Sequence, residues 1–299
     1  MAKDLMSLLD LNKDELKTVL DLSHKYRNDR TLNNTHLKGK TIGLIFLKNS
    51  TRTRVSFETG VNQLGGYPMY MDQNSLQVGR GESFEDTARV LSRYLDGIVI
   101  RGHEHENIKA FSDKCSVPVI NALTDTYHPC QLLADLQLIE NIRGSLEGAK
   151  VTFYGDTACN MALSWINAAH LTGLELTLAG PEKFHPPKEF LASLGNPSNV
   201  KVTADAKEAA KDAEFLYTDV WVSMGFEEEA AERLKVFKSF QVNSELVGLA
   251  DKNVKVMHCL PAYREKEITA EVLEGPHSVV WDQAENRLHA QKAVMTLKF

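Results

Sequence analysis

Short runs of β-branched and aliphatic residues recur along this chain, each cut by a polar break and followed by a stretch of helical period. Residues 41–46 (TIGLIF) read as a buried strand. After a break, Phe57, Val61 and Leu64 fall at i, i+4 and i+7 on one helical face, and Gly65-Gly66 ends the run. The pattern repeats. In the first half it predicts strands at 41–46, 69–72, 96–101 and 117–121, and helices at 4–28, 51–64, 84–95 and about 104–114. Gly144 and Gly148 punctuate the chain before the pattern restarts. The second half predicts strands at 150–155, 174–179, 200–203, 215–219, 255–259 and 278–281. Its helices are expected at 160–171, 206–212, 265–273 and from about Glu285 onward. Ser83 with Asp86, and Asp205 with Glu208, have the spacing of helix starts. Such alternation demands parallel strands covered on both faces. The expected fold class is therefore α/β: two doubly wound parallel-sheet domains with a crevice between them, lying at the carboxyl ends of the strands.

Composition closes off several function classes. With 299 residues the chain has room for two cores, and a net charge of −6 gives a nucleic-acid partner no bulk attraction. No apolar run reaches membrane-spanning length, and the first residues lack a signal-peptide core, so a cytoplasmic location is expected. Cys115, Cys130, Cys159 and Cys259 are far apart, without a C-x-x-C pair, which fits a reducing compartment and no structural zinc. Two tempting motifs fail. Gly79-Arg80-Gly81 meets Phe84 where a dinucleotide fingerprint needs glycine, and His103-Glu104-His105 lacks the spacing of a helical zinc pair. No metal and no organic cofactor are expected.

The chemistry concentrates at strand ends. Ser50-Thr51-Arg52-Thr53-Arg54, with Lys48 just upstream, sits where the first strand gives way to a helix. Unpaired backbone N–H groups, hydroxyls and guanidinium forks together cradle a phosphate-like dianion there. The plainer alternative is a serine N-cap with exposed arginines. Arg101 closes another strand. His128-Pro129-Cys130-Gln131 puts an imidazole and an amide at a helix start, with proline at the first helical position. His258-Cys259-Leu260-Pro261 ends a late strand, where adjacent side chains are expected on opposite faces, against a Cys/His nucleophile. The acidic run Glu227 to Glu232 reads as a solvated face.

Residues 46–58 (FLKNSTRTRVSFE) resemble the phosphate-binding segment of the aspartate/ornithine carbamoyltransferase family. The resemblance runs in order through nearly the whole chain. It implies that Ser50, Thr51, Arg52, Thr53, Arg101 and Arg287 contact carbamoyl phosphate. It also implies that His128 meets the carbamoyl oxygen and Gln131 its amide, within the segment that includes Pro129 and Cys130. Cys259 and Leu260 would face the carbamoyl group and attacking amine, beside a cis Leu260–Pro261 bond. Thr53, Arg101 and His128 would meet the negative charge that develops on the carbonyl oxygen. Residues 219–225 resemble the D-x-x-x-S-M-G loop of the ornithine branch, which implies acceptor contacts from Asp219, Ser223 and Met224, together with Asn160. Here the chain departs from the pattern: Cys159-Asn160 stands where the branch commonly has two asparagines, and Cys159 is left unassigned.

The resemblance further implies a homotrimer, or a multiple of one, in which the loop bearing Gln77 completes a neighbouring subunit's phosphate site. The expected division is 1–131 for carbamoyl phosphate, with 285–299 packing back on it, and 132–284 for the amino acid. The implied activity is carbamoyl transfer to the δ-amine of ornithine. Transfer to another amine such as putrescine or an acylated ornithine is the near alternative. A cysteine amidohydrolase built on Cys259 and a non-catalytic phosphate binder are the remote ones.

Overall fold

The computed structural model describes residues 3–78, 81–222 and 230–299, and its backbone divides into two compact units. The first comprises Met1–Leu138 with Glu285–Phe299; the second is Ile139–Ala284.

In the first unit, α1 (Lys13–Asn28) precedes β1 (Thr41–Phe46), α2 (Thr51–Gln63), β2 (Tyr67–Asp72), α3 (Phe84–Leu91), β3 (Gly97–Arg101), α4 (His105–Lys114) and β4 (Val119–Leu123). A further helix, α5 (Pro129–Arg143), carries the chain across the division. The sheet order is β2-β1-β3-β4, parallel throughout. β1 and β3 are buried along almost their whole length, as expected of strands covered on both faces. Phe57, Val61 and Leu64 are fully buried, so the helical stripe read from sequence is the packed face of α2.

The second unit contains β5 (Lys150–Tyr154), α6 (Asn160–Thr172), β6 (Glu175–Ala179), α7 (Lys188–Ser193), β7 (Val200–Thr203), α8 (Ala206–Ala210), β8 (Phe215–Thr218), α9 (Ala230–Val236), α10 (Ser244–Leu249), β9 (Lys255–His258) and α11 (Ala270–Leu273). Its sheet order is β7-β6-β5-β8-β9, again all parallel. The final helix, α12 (Val280–Lys298), begins in the second unit and ends in the first.

Each sheet therefore reverses its winding once, between β1 and β3 in the first unit and between β5 and β8 in the second. Ligands of open parallel sheets bind outside the carboxyl ends of strands at such a reversal.

Three expected elements differ. Residues 278–281 are not a strand: Ser278 makes one isolated bridge to Val256, and α12 begins at Val280. Residues 4–12 are not α-helical. Leu5 pairs with Ile120 beside β4, Ser7 caps a short 3-10 turn at Leu8–Asp10, and a second capping box at Asn12 starts α1 at Lys13. The helix expected over 265–273 shrinks to the single turn of α11, capped by Thr269.

Candidate active site

The first cluster stands at the β1/β3 reversal. Ser50 caps α2, its hydroxyl accepting from the Thr53 amide at 3.3 Å and donating to Thr53 Oγ1 at 3.0 Å. Thr53 is fully buried, and two guanidinium groups converge on its hydroxyl. Arg287 Nη2 donates at 2.7 Å and Arg101 Nη1 at 3.4 Å. Both arginines are buried. The strand register shifts between Ile100 and Arg101, at the position from which the Arg101 side chain leaves the sheet.

His128 immediately precedes α5, with Pro129 as the first helical residue and the His128 carbonyl accepting from the Gln131 amide. Burial, and then the charges of Arg287 and Arg101, hold the His128 imidazole well below its ordinary value. At neutral pH the ring is therefore uncharged and retains one N–H to donate. Gln131 Nε2 donates to the Asp135 carboxylate at 2.9 Å, one helical turn on. A carboxylate accepts only, which fixes the amide orientation and leaves the buried Gln131 Oε1 without a hydrogen-bond partner. Asp135 was not singled out from sequence, although its i+4 spacing from Gln131, set among Leu132, Leu133, Ala134 and Leu136, was there to be read.

Other expected residues have different surroundings. Arg54 pairs with Glu58 at 3.1 Å and lies 3.6 Å over the Tyr70 ring, so its charge is engaged on its own side of the helix. Thr51 and Arg52 are exposed in the first turn of α2, and Gln77 is exposed in the loop after β2. The Cys130 thiol faces the Asn121 carbonyl in β4 at 3.5 Å, and burial pushes it up to about 12.

The second cluster stands at the β5/β8 reversal and the end of β9. Cys259 Sγ donates to Asp219 Oδ1 at 2.8 Å. Desolvation raises the Asp219 carboxyl above its ordinary value, opposed by His258 and by the Cys259 thiol. Asn160 is the first residue of α6, and Cys159 precedes it as the N-cap residue, half-buried. Burial, and then Asp156 and Asp219, push the Cys159 thiol well above its ordinary range, so it behaves as an uncharged small group. Ser223 and Met224 lie outside the described residues.

The expectation that His258 and Cys259 face apart needs correction. β9 ends at His258, so strand alternation no longer governs Cys259. The donor atoms of Asp219, His258 and Cys259 lie within 4.8 Å of one another. The imidazole is nonetheless engaged at both nitrogens. Nδ1 accepts from the Leu260 amide at 2.9 Å, and Nε2 meets the buried Glu267 carboxylate at 3.1 Å. A metal ion could span the three groups only by breaking one of those bonds, and a ring so held is poorly placed as a base for Cys259. Leu260–Pro261 is cis, and Leu260 itself adopts φ 56. Glu267, and Gln283 whose Oε1 accepts from the His258 amide at 2.8 Å, were not foreseen.

Two parallel sheets, each with a ligand-type cluster at its reversal, define a pair of α/β ligand-binding units, and comparison with known proteins names the class. Residues 3–141 match the family described as "Aspartate/ornithine carbamoyltransferase, carbamoyl-P binding domain", and residues 147–297 match "Aspartate/ornithine carbamoyltransferase, Asp/Orn binding domain". The chain belongs to the aspartate/ornithine carbamoyltransferase family. Within it, the similarity is to the ornithine enzymes. The ornithine carbamoyltransferase of Methanoculleus marisnigri is 45% identical over 298 residues, covering 99% of this chain and 96% of that protein. That of Caldicellulosiruptor saccharolyticus is 48% identical over 297 residues, covering 97% and 96%. The solved ornithine carbamoyltransferase of Pyrococcus furiosus superposes with a TM-score of 0.92 at 44% identity, covering 99% of this chain and 96% of that one.

Proposed function

We propose that this chain transfers the carbamoyl group of carbamoyl phosphate to the δ-amine of L-ornithine, giving L-citrulline and phosphate. The observation that carries the reading is the meeting of Arg101 and Arg287 at the Thr53 hydroxyl, beside an uncharged His128. Guanidinium forks grouped beside a helix start suit a phosphate dianion. In this reading the first unit holds carbamoyl phosphate. The phosphate takes the first turn of α2, with Ser50, Thr51, Arg52 and Arg287. The carbamoyl oxygen takes His128, Arg101 and Thr53. The carbamoyl NH2 needs an acceptor, and Gln131 Oε1, oriented by Asp135, is one. Cys259 and Leu260 complete the contacts through the turn at the cis bond.

The second unit holds ornithine through Asn160, Asp219, Ser223 and Met224. The Asp219 carboxylate meets the α-ammonium, and Cys259, bonded to Asp219, lies beside the attacking amine. That amine attacks only as the free base, because an ammonium has no lone pair. As it adds, negative charge grows on the carbamoyl oxygen, met by His128, Arg101 and Thr53; phosphate then leaves with the bonding pair and takes up the proton that the added nitrogen gives up. Positioning and electrostatics suffice, without a metal or organic cofactor.

The working assembly is read as a homotrimer, with Gln77 acting on a neighbouring subunit. In its support, β2 is an edge strand that exposes Tyr67 and Met69, an arrangement proteins usually cover. The cytosol and arginine metabolism are the proposed setting; the four free thiols suit a reducing compartment. Parallel citrulline-type assays with ornithine, putrescine, aspartate and N-acetylornithine test the reading. Turnover confined to ornithine is expected, and a higher kcat/KM for any other amine would refute it.

A further inference from the structure

Arg233 lies in α9, just past an acidic and alanine-rich run that suggests a solvated helix face. It is instead only 6% exposed. A guanidinium taken out of water is costly unless its charge and its donors are all met. Here they are met by groups from three directions. Nη2 pairs with the Asp156 carboxylate, and Nε donates to the Trp221 carbonyl at 2.5 Å. The flat face lies 4.8 Å from the Phe184 ring and 5.2 Å from that of Phe237.

Both polar partners belong to segments already assigned to the acceptor. Asp156 sits in the turn between β5 and α6, and its other oxygen accepts from the Ala158 amide at 3.1 Å, two residues before Asn160. Trp221 follows Asp219 by two residues, after β8. The two segments also touch directly. Gly155 adopts φ +122, and a Cβ there would come within 3.3 Å of the Trp221 indole, which stacks on Phe237 at 6.0 Å between centroids. One planar fork thus ties the loop after β5 to the loop after β8, across the reversal of the second sheet.

We propose that Arg233 is a positioning residue for the acceptor amino acid, holding Asn160 and Asp219 at their working separation by clamping Asp156 to the Trp221 carbonyl. The assignment rests on the reading of the second unit as the ornithine side. Asp156, Trp221, Phe184 and Phe237 are none of the proposed carbamoyl phosphate residues, so loss of Arg233 should act chiefly on one substrate. Misplacement of a binding group by about 1 Å is worth roughly 10²-fold.

Steady-state kinetics with each substrate varied in turn provide the test. Arg233→Gln should raise the KM for ornithine about 30- to 100-fold and leave that for carbamoyl phosphate within about threefold. Arg233→Lys, which keeps the charge but cannot serve carboxylate and carbonyl together, should fall between the two. Asp156→Asn should shift the same constant, and the Arg233→Gln/Asp156→Asn double variant should be no worse than the worse single. Should Arg233→Gln not fold, as judged by circular dichroism, Arg233→Lys and Asp156→Asn carry the same test. An ornithine KM within twofold of wild type, a parallel rise for both substrates, or full additivity of the two changes would overturn the assignment. If the wild-type protein formed no citrulline, the functional reading itself would fail, and this assignment with it.

Discussion

Replacing Arg101 separates what this residue does for the fold from what it does for the reaction. Its Nη1 is 3.4 Å from Thr53 Oγ1, at the long end of useful N–H···O distances, while Arg287 holds the same hydroxyl at 2.7 Å. The two terminal nitrogens are therefore at most about 6 Å apart, and at an effective dielectric of about 20 two such charges repel by roughly 2–3 kcal/mol. Arg101→Met removes that repulsion along with the bonds the guanidinium makes, and the unfolding midpoint should move by only a few degrees. With substrate bound the balance reverses. The guanidinium then faces a dianion and a developing oxyanion, and loss of one such preorganised donor costs about 10²–10³ in rate. Citrulline formation at saturating ornithine, with carbamoyl phosphate varied, measures the kinetic half. Thermal unfolding with a non-transferring phosphonate analogue measures the binding half. At 100 times Kd a ligand stabilises by about 2.7 kcal/mol, which would shrink to about 0.4 kcal/mol after a 100-fold weakening. A variant within tenfold of wild type, or one whose activity falls only in step with its unfolding, would refute this account of Arg101.

The His128 ring, held well below the usual histidine value by burial and two arginines, should stay neutral as the solution is acidified. The kcat/KM for carbamoyl phosphate should then stay flat through about pH 6.5; a break there that vanishes in His128→Asn would contradict it. Burial lowers the Lys292 ammonium to about 8, against an ordinary value of about 10.4. Between those values the unfolded chain binds a proton that the folded one does not, so this group makes stability rise with pH across that window. Lys292→Met should flatten the rise, as followed by denaturant midpoints; an unchanged slope would show that the lysine titrates normally. Finally, Arg52→Ala and Gln77→Ala subunits, nearly inactive alone, should recover roughly a quarter of wild-type activity when mixed and reassembled as trimers. Mixed trimers without activity would remove Gln77 from the neighbouring site.

The fold was legible because parallel strands must be apolar along their length, and such runs alternate with helical stripes in any register. Residues 41–64 show this well: strand, cap and buried face all fall where the residues imply. Misreadings came where two signals overlap. Val279, Val280 and Trp281 have strand character, but they lead into α12 without a break, and a short apolar run does not itself distinguish strand from helix. Leu5 looks like part of a helical stripe and is instead paired with Ile120, a contact visible only once the chain has folded back over more than a hundred residues. The candidate site divides in the same way. Ser50, Thr53, His128 and Gln131 are local to strand ends and helix starts. Glu267, Asp156 and Arg233 act through partners distant in sequence or through burial that composition conceals, and Arg233 stands beside glutamates that disguise it.

The return of Glu285–Phe299 to the first unit has a consequence for how the protein is made. Arg287 is translated more than 230 residues after Thr53, the hydroxyl it grips. A nascent chain that has finished β1 through β4 therefore holds only part of its phosphate cradle, and must remain in that state while the whole second unit emerges from the ribosome. At typical elongation rates of about 5–20 residues per second this interval lasts on the order of ten seconds or more. Throughout it, residues that later pack against α12 are exposed: Gly60, where an added Cβ would come within 2.8 Å of Met295, and the Gln63 amide oxygen that Lys292 will bind. Ribosome-bound chains stalled before Glu285 should accordingly fail to capture the phosphonate dianion, and binding should appear only once α12 has cleared the exit tunnel.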